Sequence, residues 1–234
     1  MNRNHNLVIS MDILTLIPIK SFTSGKSRLR NSLPNQNETI NDIILEMFLK
    51  VVTCVKIQSD FGVISPEKKI LEMAENLGAK YTFQDKADNL NNSLKSAIDS
   101  IWNKKNATNW NSILILMADL PLMADNQFKY FLDAIEDFKV GLLPANLEPN
   151  NYTGTSGLFM KKEIWSKIKL EFGKNSFHKF SSQLKSVSDP LYIHESMLGY
   201  DLDSKKDLLF LRKKFPNLLS SLKIDLTTNL DLIQ

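Results

Sequence analysis

Ile113-Leu-Ile-Leu-Met117-Ala118-Asp119-Leu-Pro121 is the stretch on which the fold turns. Consecutive apolar residues without polar alternation predict a strand buried on both faces, as in a parallel sheet covered by helices. Asp119 ends the run, and Pro121 stops the ladder from continuing. Ile13-Leu-Thr-Leu-Ile-Pro-Ile19 has the same character. Between these two runs the chain changes period. Apolar residues at 40, 43, 44, 47, 48, 51, 52 and 55 make Glu38–Lys56 an amphipathic helix. Phe61–Ile64 and Ala79–Phe83 are strand candidates. Pro66–Leu77 is a helix with Gly78 at its C-terminal cap, and Leu90–Trp102 is another. A helix over Ala124–Phe138 and a strand over Val140–Leu143 follow.

Strand and helix therefore alternate over the first 145 residues. That order predicts an α/β fold: a doubly wound, mostly parallel sheet with helices on both faces, Rossmann-like. Residues 20–37 are polar and predict a long loop. Downstream lie a Gly/Thr/Ser turn at 153–157, a strand at Leu158–Met160, helices near 161–169 and 176–186, and a helix over Ser204–Lys214. No repeat or linker interrupts the chain, so 11–215 is expected to be one domain. Residues 1–10 and 216–234 are expected to be tails.

Composition narrows the function. With 29 basic and 26 acidic residues the net charge is +3, too little to demand a nucleic acid or an anionic membrane. The longest apolar run, Ile113–Ala118, falls far short of the roughly 20 residues of a membrane span. The polar N-terminus is unlike a signal peptide. A cytoplasmic protein is the expectation. A single cysteine, Cys54, excludes an internal disulfide framework and a Cys-based zinc site; its helical spacing with Val51 and Val55 places it in the core. Of the four Arg, Arg28 and Arg30 sit together beside Gly25-Lys26.

In open parallel sheets ligands bind beyond the carboxyl ends of the strands. After the first strand comes Lys20-Ser-Phe-Thr-Ser-Gly25-Lys26-Ser27-Arg28-Leu-Arg30. Gly25-Lys26-Ser27 invites a P-loop reading, but the first glycine of that motif would fall on Lys20. What remains is four cations that could wrap a polyphosphate, or else a solvated basic loop. Asp119 is placed to hold Mg²⁺, which needs only one or two protein carboxylates plus phosphates. In an extended segment Asp201 and Asp203 point to one side and could complete that site. Alternatively, Ser204 and Asp207 form a capping box. Thr153-Gly-Thr-Ser-Gly157 and Phe172-Gly173-Lys-Asn-Ser176 supply hydroxyls and backbone N–H groups for phosphate or carboxylate oxygens. Asn91 either caps a helix or reads a base. The three His show no metal spacing.

Taken in order, IP-x-K…GKSRL, N-L-N-x-x-L, L-x-ADLP, GTS-x-L-F, FG-x-x-S and D-x-D-x-x-x-D-L resemble the CofC family over about Ile17 to Leu208. Members of that family are guanylyltransferases of coenzyme F-420 biosynthesis, related in fold to molybdenum-cofactor guanylyltransferases and other GT-A-like nucleotidyltransferases. The resemblance implies transfer of GMP from GTP to a small phosphorylated acid, 2-phospho-L-lactate or phosphoenolpyruvate, with pyrophosphate released. Asp119, Asp201 and Asp203 look like the Mg²⁺ carboxylates. Lys20, Lys26 and Arg28 look like triphosphate contacts, with Lys26 and Asp119 central to catalysis. Asn91 falls on the nucleotide-recognition segment; Thr155, Gly173 and Ser176 look like acceptor-acid contacts. A homodimer is also implied. Two departures bear on base choice: Asn89 stands where members often have Gly, and Asn92 and Ser93 where they often have small residues. The alternatives are another GT-A-like nucleotidyltransferase, of molybdenum-cofactor or sugar-phosphate type, and a nucleotide-binding module without turnover. A Gly-poor first loop disfavours the former.

Overall fold

The computed structural model describes residues 12–86, 89–103, 110–145, 152–193 and 197–221. The expected tail at 1–10 and the segment 222–234 lie outside them. The described residues contain seven strands: β1 (Ile13–Pro18), β2 (Asp60–Ser65), β3 (Tyr81–Gln84), β4 (Ser112–Leu116), β5 (Val140–Pro144), β6 (Thr155–Lys161) and β7 (Leu191–Tyr192). They form one sheet in the order β3-β2-β1-β4-β6-β5-β7. β1 runs parallel to β2 on one side and to β4 on the other. β2 is parallel to β3, and β5 to β7. β6 is antiparallel to both of its neighbours, β4 and β5.

The helices are α1 (Ser27–Ser32), α2 (Asn37–Gln58), α3 (Lys68–Asn76), α4 (Leu90–Asn103), α5 (Asp125–Ile135), α6 (Ser176–Lys185), α7 (Lys205–Lys214) and α8 (Pro216–Ser221). They divide between the two faces of the sheet. Leu29, Phe48, Ile70, Phe128 and Leu208 bring α1, α2, α3, α5 and α7 against one face, which Ile13 and Ile17 of β1 also line. Leu94, Ile98, Phe177 and Phe180 bring α4 and α6 against the other, lined by Leu14 and Leu16. The alternation along β1 is the pleat of the strand with both faces buried. Thr15, fully buried between them, is satisfied by the Ser59 hydroxyl at 2.9 Å. No helix among the described residues is long and apolar enough to cross a membrane.

The structure departs from the sequence expectation in local segments. Residues 20–37 are not loop throughout: α1 forms there, too short and with too few buried residues (Leu29) to show a period. The helix expected near 161–169 is a 3-10 turn over Lys162–Lys167, with Ile164 as its buried residue. Within the segment expected as a C-terminal tail of unknown packing, Pro216 opens α8 and Leu218 packs against the core. β7, two residues long, carries no pattern a sequence could show.

Candidate active site

The strand order reverses between β1 and β4: the chain leaves β1 for β2 on one side, and returns to pair with β1 on the other through β4. Such a reversal opens a crevice beyond the carboxyl ends of the two strands. The chain leaving β1 reaches Lys26, and the chain leaving β4 reaches Asp119.

The loop after β1 is tightly built. The Ser21 hydroxyl accepts from the N–H groups of Thr23 and Ser24, at 3.1 and 3.2 Å, a local turn of the kind Ser favours. The Gly25 N–H then donates to the Ser21 carbonyl at 3.1 Å. A Cβ on Gly25 would lie 2.6 Å from that carbonyl oxygen, so the approach requires glycine. Lys26 follows in the left-handed conformation, φ 61°, just ahead of α1. A non-glycine residue is held there only where its surroundings impose it, and such positions cluster at functional sites. Arg30 imposes part of it. Its guanidinium donates to the carbonyls of Gly25 and Phe22, both at 2.6 Å, and to the Asn41 amide oxygen at 2.7 Å. Arg30 therefore fastens the loop to α2 and leaves Lys20, Lys26 and Arg28 as the cations of this segment, not the four expected.

The opposite wall comes from the segment before α7. Asp119 accepts from the Leu202 N–H through its carbonyl at 3.2 Å, and the Asp201 N–H donates to the Ala145 carbonyl at 3.3 Å. These bonds lace residues 201–202 between the ends of β4 and β5. Gly199 makes the approach possible. A Cβ there would fall 2.0 Å from the Pro144 carbonyl oxygen, and the Ser156 hydroxyl donates to the Gly199 carbonyl at 2.7 Å. Sequence reasoning missed Gly199; its signal was the scarcity of glycine and its place two residues before Asp201.

The two walls meet at Lys26. Its ammonium donates to Asp119 Oδ2 and, at 3.4 Å, to Asp203 Oδ1. Arg28 Nη1 donates to Asp203 Oδ2 at 2.8 Å. The Lys26 side chain is 10% exposed and that of Arg28 79%, so one cation is enclosed and the other faces solvent. Burial pulls the Lys26 pKa down, but the adjoining Asp119 charge and hydrogen bond, with Asp203 and Asp201, leave it above its ordinary value. Lys26 is therefore charged. Asp201 moves the other way from a normal carboxylate. Burial, then the neighbouring Asp119 charge, push its pKa up to about 7 in spite of Lys26. The helix that follows is capped by Ser204, which exchanges bonds with Asp207 in a capping box. That leaves the Asp203 carboxylate free of capping and turned to Lys26 and Arg28.

Asp119, Asp201 and Asp203 are thus gathered, though not as a ready ligand cage. Among the described residues no three acidic, His or Cys side chains are arranged to hold a metal ion, and the Lys26 ammonium contacts both Asp119 and Asp203. The charge still fits a cation. Three carboxylates face one enclosed ammonium, and the raised Asp201 marks the shortfall. A hard divalent ion that keeps its waters and shares phosphate oxygens needs no more than one or two carboxylates.

The residues expected to contact the acceptor acid also converge. Thr155 begins β6 and Ser176 begins α6; both are buried, and their hydroxyls lie 3.2 Å apart. Gly173, at φ 120°, and Asn175, at φ 58°, shape the loop that enters α6. Asn91 sits in the first turn of α4. Its amide donates to the Phe172 carbonyl at 3.1 Å and accepts from the Phe172 N–H at 2.8 Å. Lys20 is exposed, and its carbonyl accepts from the Ser65 hydroxyl at 3.3 Å.

Known proteins resemble this chain in sequence and fold. Residues 13–227 match the family model described as guanylyl transferase CofC like. A 2-phospho-L-lactate guanylyltransferase of Methanosphaera stadtmanae is 31% identical over 201 residues, covering 84% of this chain and 82% of the relative. A phosphoenolpyruvate guanylyltransferase of Thermobaculum terrenum is 24% identical over 86% of this chain and 83% of its own length. Among solved structures, a 4-diphosphocytidyl-2C-methyl-D-erythritol synthase superposes with a TM-score of 0.58 at 11% identity, over 86% of this chain and 96% of that one. A nucleotidyl transferase from Methanothermobacter thermautotrophicus superposes at 0.54 with 14% identity, over 89% of this chain and 98% of its own. Those two likenesses show the nucleotidyltransferase fold, and the match over residues 13–227 settles the rest: the chain belongs to the CofC-like guanylyl transferase family.

Proposed function

We propose that this protein transfers GMP from GTP to a small phosphorylated acid, 2-phospho-L-lactate or phosphoenolpyruvate, with Mg²⁺ as cofactor and release of pyrophosphate, and so serves coenzyme F-420 biosynthesis. The observation that carries the reading is the contact of Lys26 with Asp119 and Asp203, which sets a fixed cation and a group of carboxylates at the mouth of the β1/β4 crevice. The relatives' names supply the two acids as candidates.

The chemistry asks for positioning and charge. An acceptor phosphate oxygen forms a bond to the α-phosphorus of GTP. The bond from that phosphorus to the bridging oxygen breaks, and pyrophosphate leaves with the electron pair. A phosphate monoester is already ionised near pH 7, so no general base is needed, in keeping with three scattered His. Lys26 is the enclosed cation for the triphosphate, and Arg28 and Lys20 are solvent-side cations that draw it in. Mg²⁺, held by Asp119 with Asp201 and Asp203, would neutralise phosphate oxygens. Thr155, Ser176 and the Gly173 loop would hold the acceptor acid. A recess at the carboxyl end of β3, lined by Phe83, Asp85 and Ser93 beside the start of α4, offers room for the base.

The test is direct. Purified protein with GTP, Mg²⁺ and either acid should release pyrophosphate and yield the guanylylated acid by mass spectrometry, and ATP should be a poor substitute. No pyrophosphate from either acid overturns the reading and leaves a binding module.

A further inference from the structure

Asn91, an expected nucleotide contact, already has its amide oxygen and one amide N–H paired with the protein's own backbone. One amide oxygen and one amide N–H can pair with both polar groups of a single backbone residue, and Asn91 does so with Phe172 across 81 positions of chain. It thereby ties the first turn of α4, on the nucleotide side, to the loop that enters α6, on the acceptor side.

That loop needs such a tie. Gly173 takes a positive φ that glycine shares freely with other conformations, and Asn175 holds one that a non-glycine residue keeps only where its surroundings impose it. At the far end the Ser176 hydroxyl meets Thr155, and the Phe177 N–H donates to the Thr153 carbonyl at 3.3 Å. At the near end, Phe172 packs its ring on Phe180 at 5.0 Å, and Asn91 pins its backbone. Without Asn91, the Phe172 N–H and carbonyl lose their partner at the point where the chain turns into Gly173.

We infer that Asn91 is a positioning residue for the acceptor acid: it reads the Phe172 backbone, not the nucleotide base, and holds the Gly173–Ser176 loop in the shape that receives the acceptor. The inference rests on the proposed acceptor role of that loop. It also assigns base choice to groups other than this amide.

Two readouts test it, one independent of turnover. In Asn91→Ala, hydrogen–deuterium exchange of the substrate-free protein should speed up at the Phe172 amide and through the Gly173 loop, with β1 and β4 unchanged. Asn91→Asp keeps an acceptor for the Phe172 N–H but sets a carboxylate oxygen against the Phe172 carbonyl, so it should restore only part of that protection. In turnover, the acceptor KM of Asn91→Ala should rise roughly ten-fold, the effect of losing about 1.4 kcal/mol, while the GTP KM and the GTP-over-ATP preference stay near wild type. A raised GTP KM or lost base preference with an unchanged acceptor KM overturns the inference, as does unaltered exchange at Phe172. Wild-type protein that turns over neither acid sinks the proposed reaction instead, and the exchange measurement then still decides whether Asn91 shapes the loop.

Discussion

Lys26 Nζ and Asp203 Oδ1 lie 3.4 Å apart although 177 residues separate them in the chain. The contact closes the crevice between the loop after β1 and the segment before α7, and Asp119 from the end of β4 shares the same ammonium. One cation thus organises carboxylates from two different parts of the fold. It is held there by a left-handed backbone that Gly25 and Arg30 brace.

Replacing Lys26 by Met keeps the stem and removes the charge. On the proposed reaction the triphosphate would then lose its enclosed cation, a kind of loss that typically costs about 100- to 1000-fold in turnover. The GTP KM should rise as well. Arg28→Ala should act more weakly, since a group 79% exposed is well screened. Steady-state kinetics with GTP varied checks both; a Lys26→Met enzyme with wild-type GTP kinetics would return the loop to a solvated basic segment.

Asp119→Asn keeps shape and hydrogen-bonding capacity but removes one negative charge beside Asp201. Turnover should fall to background, while the melting temperature stays within a few degrees of wild type, because Asp203 still pairs with Lys26. Chelation of divalent ions should give the same kinetic result in the wild type, reversed by added Mg²⁺. An active Asp119→Asn enzyme, or full activity in chelator, removes the carboxylates from the chemistry.

The pH dependence of the metal-free fold follows from Asp201. Its folded pKa is raised to about 7 against an ordinary value of 3.8. Between those values the folded chain binds a proton that the unfolded chain does not, so stability falls as pH rises across that window. Above about pH 7 the full cost of the buried charge is present; below the unfolded value it is gone. Urea unfolding of chelator-treated protein should therefore show greater stability at pH 5.5 than at pH 8 from this residue, and Asp201→Asn should flatten that difference. A variant with the same slope as wild type would place the titration elsewhere.

The parts of this fold that could be read from sequence are those whose signal is periodic or chemically scarce. β1, β4 and α2 have long apolar patterns, and the structure contains them within a residue or two of the expected limits. Asp119 stood out at the end of a buried strand, Lys26 and Arg28 in the loop after another, and Asp203 in the extended segment before a helix, and they meet in space. What escaped is set by contacts distant in sequence. Arg30 looked equivalent to Arg28 in its loop, and only the carbonyls of Phe22 and Gly25 show that it points inward. Asn91 sat at a helix start in an Asn-rich chain, and nothing local names Phe172 as its partner. The antiparallel insertion of β6 between β4 and β5 is a choice of neighbour, which strand patterns do not encode.

Gly199 is the sharpest case of such a hidden constraint, and it yields the last expectation. Its Cα is pressed against the Pro144 carbonyl, and an added methyl would stand 2.0 Å from that oxygen and 3.0 Å from Leu143 Cγ. The backbone must shift, and overpacking of this kind costs about 1–3 kcal/mol. For a domain of this size that lowers the melting temperature by a few to roughly 10 °C. The shift also falls two residues before Asp201, whose N–H is tied to Ala145. Gly199→Ala should therefore lose turnover out of proportion to its lost stability when assayed well below its melting point. Ser156→Ala, which removes the hydroxyl bonded to the Gly199 carbonyl without adding bulk, should show a smaller effect in the same direction. If Gly199→Ala melts lower but turns over normally below that temperature, the close approach at Pro144 serves the fold and does not set the position of Asp201 and Asp203.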